Sequence, residues 1–229
     1  TVPLSDDFTI KVEDYDQPNG GIVFPNPNAP TGIPLALAKI EQLLQTNKHS
    51  VVVVDEAYVD FGTESAVGLI KHYPNLLVVH TLSKARSLAG LRVGYALGSA
   101  ELIEALTRVK DSFNSYPVDR FASAGAIAAM QDSAYFQDTC HKVVATREAL
   151  MTELASLDFE VLPSGANFIF AKHRVLGGAE ITAMLRQKNI IVRHFKAPSR
   201  IAPYLRITIG TDAQTVLLLK ALREIVSQP

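Results

Sequence analysis

Apolar residues in this chain gather in short unbroken runs, and several of those runs end on a polar cluster. Gly21-Ile22-Val23-Phe24 opens into a proline-rich turn. Val51-Val52-Val53-Val54 runs into Asp55-Glu56-Ala57-Tyr58, and Leu76-Leu77-Val78-Val79 runs into His80-Thr81-Leu82-Ser83-Lys84. Continuous runs of this kind suit strands with both faces buried, the habit of parallel sheets. Leu37, Ile40, Leu43 and Leu44 share one face of an amphipathic helix over residues 35–44, and a shorter helical piece is expected over 66–73. A further strand is expected over 92–97, behind a glycine-bearing turn. Strands alternating with helices at this spacing predict an α/β fold, its mostly parallel sheet covered on both faces.

The character changes after Tyr116-Pro117. The pattern predicts helices over 118–130 and 135–157, strands over 160–162 and 167–171, and a helix over 179–188. Strands over 190–194 and 204–209 and a helix over 212–226 complete it. Gly210-Thr211-Asp212 supplies a strand exit and a helix N-cap. The chain is therefore expected to divide near Pro117. Residues 1–117 would be the parallel-sheet unit, and 118–229 a smaller α+β unit that includes the long helix between the two.

Composition narrows the function classes. At 229 residues either unit can bury a core, and a formal net charge of -1 gives no electrostatic drive toward nucleic acid or an anionic membrane. No apolar run approaches the ~20 residues of a spanning helix. The N-terminus lacks the basic start and apolar core of a signal peptide, so a cytoplasmic setting is expected. Cys140 is the single cysteine, which excludes an internal disulfide and suits a reducing compartment. His49, His72, His80, His141, His173 and His194 lie without metal-ligand spacing, so they read as surface or structural residues and no metal site is expected.

Candidate chemistry sits at the two polar run ends, where open α/β sheets collect ligands. Lys84 taken alone reads as a solvated strand end, and only its neighbours raise the catalytic reading. With a depressed pKa it becomes an amine able to attack an aldehyde. Ser83 offers a hydroxyl, Arg92 a planar fork of donors for phosphate, and Gly90 a close backbone approach. Asp55, at the end of a strand expected to be buried, needs a donor or cation. A helix cap or salt bridge would serve, and so would a protonated pyridine nitrogen. Tyr58 is either a half-buried aromatic or a donor to a ring oxygen. The loop Pro25–Gly32 is either a tight turn or a rigid presenter of an asparagine, and its Ala-Pro bond is open to either isomer. Arg193 and Arg206, flanked by apolar strand residues, face solvent or an anionic ligand.

Taken together, these motifs resemble the class I/II aminotransferases, pyridoxal-phosphate enzymes of fold type I, and among them the branch acting on histidinol phosphate. The resemblance is carried by Asn26-Pro27-Asn28-Ala29-Pro30-Thr31-Gly32, Asp55-Glu56-Ala57-Tyr58, Thr81-Leu82-Ser83-Lys84 and Ala89-Gly90-Leu91-Arg92-Val93-Gly94-Tyr95. Asn114-Ser115-Tyr116-Pro117, Ser164-Gly165-Ala166-Asn167-Phe168 and Leu205-Arg206-Ile207-Thr208 extend it over essentially the whole chain. It implies a partial large domain plus a small α+β domain, pyridoxal 5'-phosphate as cofactor, and a homodimer. It also implies amino transfer between L-histidinol phosphate and 2-oxoglutarate, by a ping-pong route. The resemblance makes Lys84 the residue that attaches the cofactor and shuttles the proton. It gives Asp55 the pyridine nitrogen, Tyr58 the ring oxygen, and Ser83 and Arg92 the phosphate. Arg206 receives the substrate α-carboxylate, with Asn167 as its neighbour, and Arg193 is a further substrate-binding residue.

Two departures stand out. The family's asparagine before Pro-Thr-Gly is Ala29 here, with Asn28 adjacent as a substitute cofactor ligand. The family's usual N-terminal part, roughly 120 residues carrying a glycine-rich phosphate loop and a ring-stacking aromatic, has no counterpart in residues 1–20. An aromatic aminotransferase, a phospho-amino-acid decarboxylase and a catalytically silent paralogue are the competing readings. A sheet lacking strands and helix faces lacking partners would make the isolated chain prone to association.

Overall fold

The computed structural model describes residues 1–227. Its first sheet contains β1 (Ile22–Pro25), β2 (Val52–Asp55), β3 (Leu76–Thr81) and β4 (Gly94–Gly98), in that spatial order. The first three strands are parallel and β4 is antiparallel to β3. Helix α1 (Leu37–Thr46) makes the crossover from β1 to β2. It buries Ile40, Leu43 and Leu44 against Ile22, Phe24, Val52, Val54, Leu76 and Val78. Those residues are the alternate positions of each strand, so one face of the sheet is a core. The opposite face is covered only in part, because Val23, between the two buried positions of β1, is 72% exposed. Cover on both faces, expected from the apolar runs, is therefore incomplete at β1.

Helix α2 (Ala100–Phe113) follows β4 and is an element the sequence reading passed over. Ser99 caps it by accepting the Leu102 N–H at 3.4 Å. Then come α3 (Arg120–Gln131) and the long α4 (Ser133–Ala155). The second sheet is antiparallel throughout: β5 (Phe159–Val161), β6 (Phe168–His173), β8 (Leu205–Thr208) and β7 (Arg193–His194), in the order β5-β6-β8-β7. Helices α5 (Gly178–Gln187) and α6 (Asp212–Val226) join α4 against it. Leu150, Leu154, Ile181, Leu185, Leu222 and Ile225 meet Ile169, Ala171, Leu205 and Ile207 in that core. The strand expected over 190–194 is only two residues long. Ile190 and Val192 pack on the core without joining the ladder.

Three loops knot the two sheets together. Gly165 N–H donates to the Gly32 carbonyl at 2.9 Å, and the Thr63 hydroxyl donates to the Gly165 carbonyl at 3.3 Å. Arg147 of α4, only 5% exposed, donates through Nη1 to the carbonyls of Phe61 and Ala166 at 2.7 and 2.9 Å, and its other nitrogens meet Glu148. A buried guanidinium is costly unless its donors are used, and here they are. The N-terminal segment is held on the second sheet by Phe8, which packs on Phe170 and Tyr204. Arg200 lies over the Phe8 ring at 4.6 Å and donates to the Leu4 and Ser5 carbonyls. Among the described residues no helix is long and apolar enough to cross a membrane.

Candidate active site

Parallel pairing brings the C-terminal ends of β1, β2 and β3 side by side, with Pro25 in register with Asp55 and Asp55 with Val79. Asn26 leaves β1 fully buried. Its amide donates to the Leu35 carbonyl and its oxygen accepts the Leu35 N–H at 2.7 Å, while its own N–H reaches the Asp55 carbonyl at 2.8 Å. Asp55 itself is exposed, not buried as the preceding valines suggested, because the strand ends there and the chain turns. Its Oδ1 accepts the N–H of Ala57 at 3.0 Å.

A line of stacked side chains runs from the first sheet to the second. Lys84 Nζ lies 5.1 Å from the centre of the Tyr58 ring. Tyr58 meets Phe168 edge-on, ring centres 5.1 Å apart, and the Arg206 guanidinium sits 5.1 Å from the Phe168 ring. Arg206 and Arg193 are directly opposite in the β7–β8 register. Both approach Phe195, at 5.8 and 5.4 Å. Arg206 Nε is buried with no hydrogen-bond partner among the described residues. An orphaned buried donor of that kind is rare and costly, and its natural complement is an acceptor from a ligand. None of Asp55, Lys84 and Arg206 is in an ion pair with a described residue.

The remaining candidates are placed less directly. Ser83 N–H donates to the Thr81 hydroxyl oxygen at 3.1 Å, and the Thr81 hydroxyl donates to Ser83 Oγ at 3.0 Å, closing a small hydroxyl turn beside Lys84. Arg92 is in the left-handed region at φ 55°, and its exposed guanidinium donates to the Ala89 carbonyl at 2.9 Å. Asn28 is engaged within its loop, where its side-chain oxygen accepts the Thr31 hydroxyl at 2.9 Å. Asn167 precedes β6, half-buried, with its carbonyl accepting the Ile209 N–H. The Asn26–Pro27 and Ala29–Pro30 bonds are both cis. Phe168 and Phe195 were not singled out as site residues. The alternation of Arg193 and Phe195 at i and i+2 was the available signal for a shared face.

An amine and a guanidinium at the two ends of a line of aromatic rings, with an exposed carboxylate at the neighbouring strand end and no counter-charge on any of the three among the described residues, fit a ligand with a basic ring nitrogen, an aldehyde and an anionic group. That is the donor set a pyridoxal-phosphate cofactor with its substrate requires. Comparison with known proteins agrees. The family model for aminotransferase class I and II matches residues 1–222. Histidinol-phosphate aminotransferase 2 of Thiobacillus denitrificans is 63% identical over 222 residues, covering 97% of this chain and 62% of that protein. The crystal structure of histidinol-phosphate aminotransferase from Sinorhizobium meliloti in complex with pyridoxal-5'-phosphate superposes with a TM-score of 0.86. It shares 26% identity over 99% of this chain and 63% of that one. The enzyme of the same name from Clostridium acetobutylicum, 23% identical over 97% of this chain and 69% of that one, shares the fold at a TM-score of 0.90. This chain belongs to the class I and II aminotransferases. It spans less than two thirds of the length of the Thiobacillus relative.

Proposed function

We propose that the chain carries most of the catalytic machinery of a pyridoxal-phosphate-dependent aminotransferase acting on L-histidinol phosphate and 2-oxoglutarate, as in histidine biosynthesis. The products are imidazole acetol phosphate and L-glutamate. The observation that carries this reading is the line from the Lys84 amine over Tyr58 to the unpartnered Nε of Arg206. The 63% identity to a protein of that name supports the substrate choice.

The bound cofactor supplies an aldehyde for the amino group and an electron-withdrawing pyridinium ring. Asp55 would hold the proton on the ring nitrogen, and its exposed carboxylate is in no ion pair with a described residue. Tyr58 donates its phenolic proton to the ring oxygen. Ser83 and Arg92 would receive the cofactor phosphate, and Asn28, on the loop after β1, would be a further cofactor ligand. Lys84 Nζ is the base that takes the proton from the substrate carbon bearing nitrogen and later returns it. Arg206, with Arg193 opposite and Asn167 nearby, holds the anionic end of the substrate. Like charges directly opposite on a strand pair destabilise it, and a phosphate dianion offsets two guanidinium groups where a carboxylate offsets one. We read residues 1–117 and 118–229 as the large and small domains, and infer a cytoplasmic homodimer from the family.

The test is uptake of pyridoxal phosphate followed by borohydride reduction and peptide mass mapping. A pyridoxyl mass on Lys84, lost in Lys84→Ala, is expected. The same mass spread over surface lysines and unchanged in Lys84→Ala would overturn the assignment.

A further inference from the structure

Glu56 follows Asp55 and, by the alternation of an extended chain, turns to the opposite side. Its side chain is 0% exposed there, and both oxygens accept hydrogen bonds. Oε1 takes the Ala66 N–H at 2.6 Å, while Oε2 takes the Ser65 hydroxyl at 2.6 Å and the His80 ring at 2.8 Å. With both carboxylate oxygens accepting, His80 Nε2 must be the donor. Its other ring nitrogen lies 3.0 Å from the Tyr95 hydroxyl, and His80 and Tyr95 are register partners across β3 and β4. The Glu56 N–H also donates to the Val79 carbonyl at 2.9 Å. One buried carboxylate thus fastens the loop after β2, the end of β3 and, through the imidazole, the start of β4.

We propose that Glu56 and His80 are positioning residues, a clasp that fixes the strand ends presenting Asp55 and Lys84. Neither Asp55 nor Lys84 is in an ion pair with a described residue, so their placement depends on the backbone that carries them. The ladder behind them is short: β2 has four residues, and the chain leaves it at Asp55. Glu56 is the first residue beyond that point to be tied down, two positions before Tyr58. His80, inside β3 and one residue before its end, is tied down four positions before Lys84. An apolar pair would fill this space without the desolvation cost of a carboxylate. Three donors aimed at one carboxylate instead admit a single register of β2, its loop and β3. The clasp takes its catalytic meaning from the proposed function, but it is measurable without cofactor.

Hydrogen exchange read by mass spectrometry on the whole chain tests it, with His80→Leu, His80→Gln and Tyr95→Phe. In His80→Leu, exchange over residues 55–59 and 80–84 should rise about tenfold while Phe168–His173 and Leu205–Thr208 stay unchanged. Pyridoxal-phosphate affinity should fall by a similar factor. His80→Gln, whose amide can still donate to Glu56, should recover part of both. If His80→Leu fails to fold, Tyr95→Phe should show a smaller rise confined to 80–84. Unchanged exchange at these strand ends overturns the clasp. Faster exchange with cofactor affinity equal to the parent chain overturns its positioning role. If the parent chain takes up no cofactor, the proposed function fails, and the exchange result alone decides whether the clasp holds the strand ends.

Discussion

Lys84 and Tyr58 leave different strands, β3 and β2, yet the lysine nitrogen lies 5.1 Å from the centre of the phenol ring. The ring packs against Phe168, and on the proposed function its hydroxyl has a separate duty toward the cofactor. Tyr58→Phe should change stability by less than about 1 kcal/mol but weaken pyridoxal-phosphate binding about tenfold. Tyr58→Ala should also lose roughly 2 kcal/mol of stability by removing the contact with Phe168. Urea denaturation and an absorbance titration separate the two. Equal cofactor affinity in Tyr58→Phe and the parent would remove the hydroxyl from the site.

Arg206 should show the opposite division. Its Nε is buried without an acceptor among the described residues, so Arg206→Met removes an unsatisfied donor while filling similar space. Stability should hold or rise by about 1 kcal/mol, while protection by a dicarboxylate or phosphorylated amino donor in a thermal shift disappears. Loss of stability with retained ligand protection would show that Arg206 is structural.

Gly165 is where the loop knot is tightest. A Cβ there would lie 2.1 Å from the Thr63 hydroxyl oxygen. Gly165→Ala should destabilise the chain by about 2 kcal/mol. Thr63→Ala removes that oxygen, so the double variant should be less destabilised than the sum of the two singles, by more than about 0.5 kcal/mol. Additive behaviour in urea melts would show that the loops separate without strain.

Much of this arrangement could be read from the sequence because it is local. An apolar run followed by Asp55 or by Ser83-Lys84 marks a strand and its exit in consecutive residues. What escaped depends on pairing across the chain. The link from Glu56 to His80 requires the β2–β3 register, and the line from Tyr58 to Arg206 requires the knot between the sheets. The exposure of Asp55 depends on where the strand stops, which four identical valines do not specify. Helix α2 was legible but missed: Ser99 is a good N-cap, and Leu102, Leu106, Val109 and Phe113 recur at helical spacing. The reading over 190–194 erred the other way, since an apolar run can pack on a core without joining a ladder.

Asp7 gives a pH signature at the N-terminal turn. Its carboxylate accepts from the Ser5 and Thr9 hydroxyls, which lower its pKa to about 2. A depressed carboxylate contributes stability that is complete above its ordinary value of 3.8 and is lost as pH falls through about 2. The Asp7 side-chain carboxyl, followed by carbon-detected NMR, should titrate near 2. Asp7→Asn should flatten the acid limb of the turn's unfolding. A midpoint near 3.8 would show that the turn is open in solution.

The exposed apolar residues of α2 and the segment after it make association the default. Val109, Phe113, Tyr116 and Phe121 are 60, 79, 93 and 81% exposed. Light scattering of the isolated chain should show mass rising with concentration, and Val109→Glu with Phe113→Glu should suppress it. A monodisperse monomer at all concentrations would contradict this.

The facing arginines of β7 and β8 carry a last consequence. One edge strand of the second sheet, β7, is two residues long, and one of its two ladder positions sets Arg193 against Arg206. On the proposed function, mutual repulsion would work against that edge, and an anionic substrate between the guanidinium groups would reverse the sign. Anion binding and the pairing of that edge would then be coupled, so the edge strand should act as a latch that the substrate's own charge tightens.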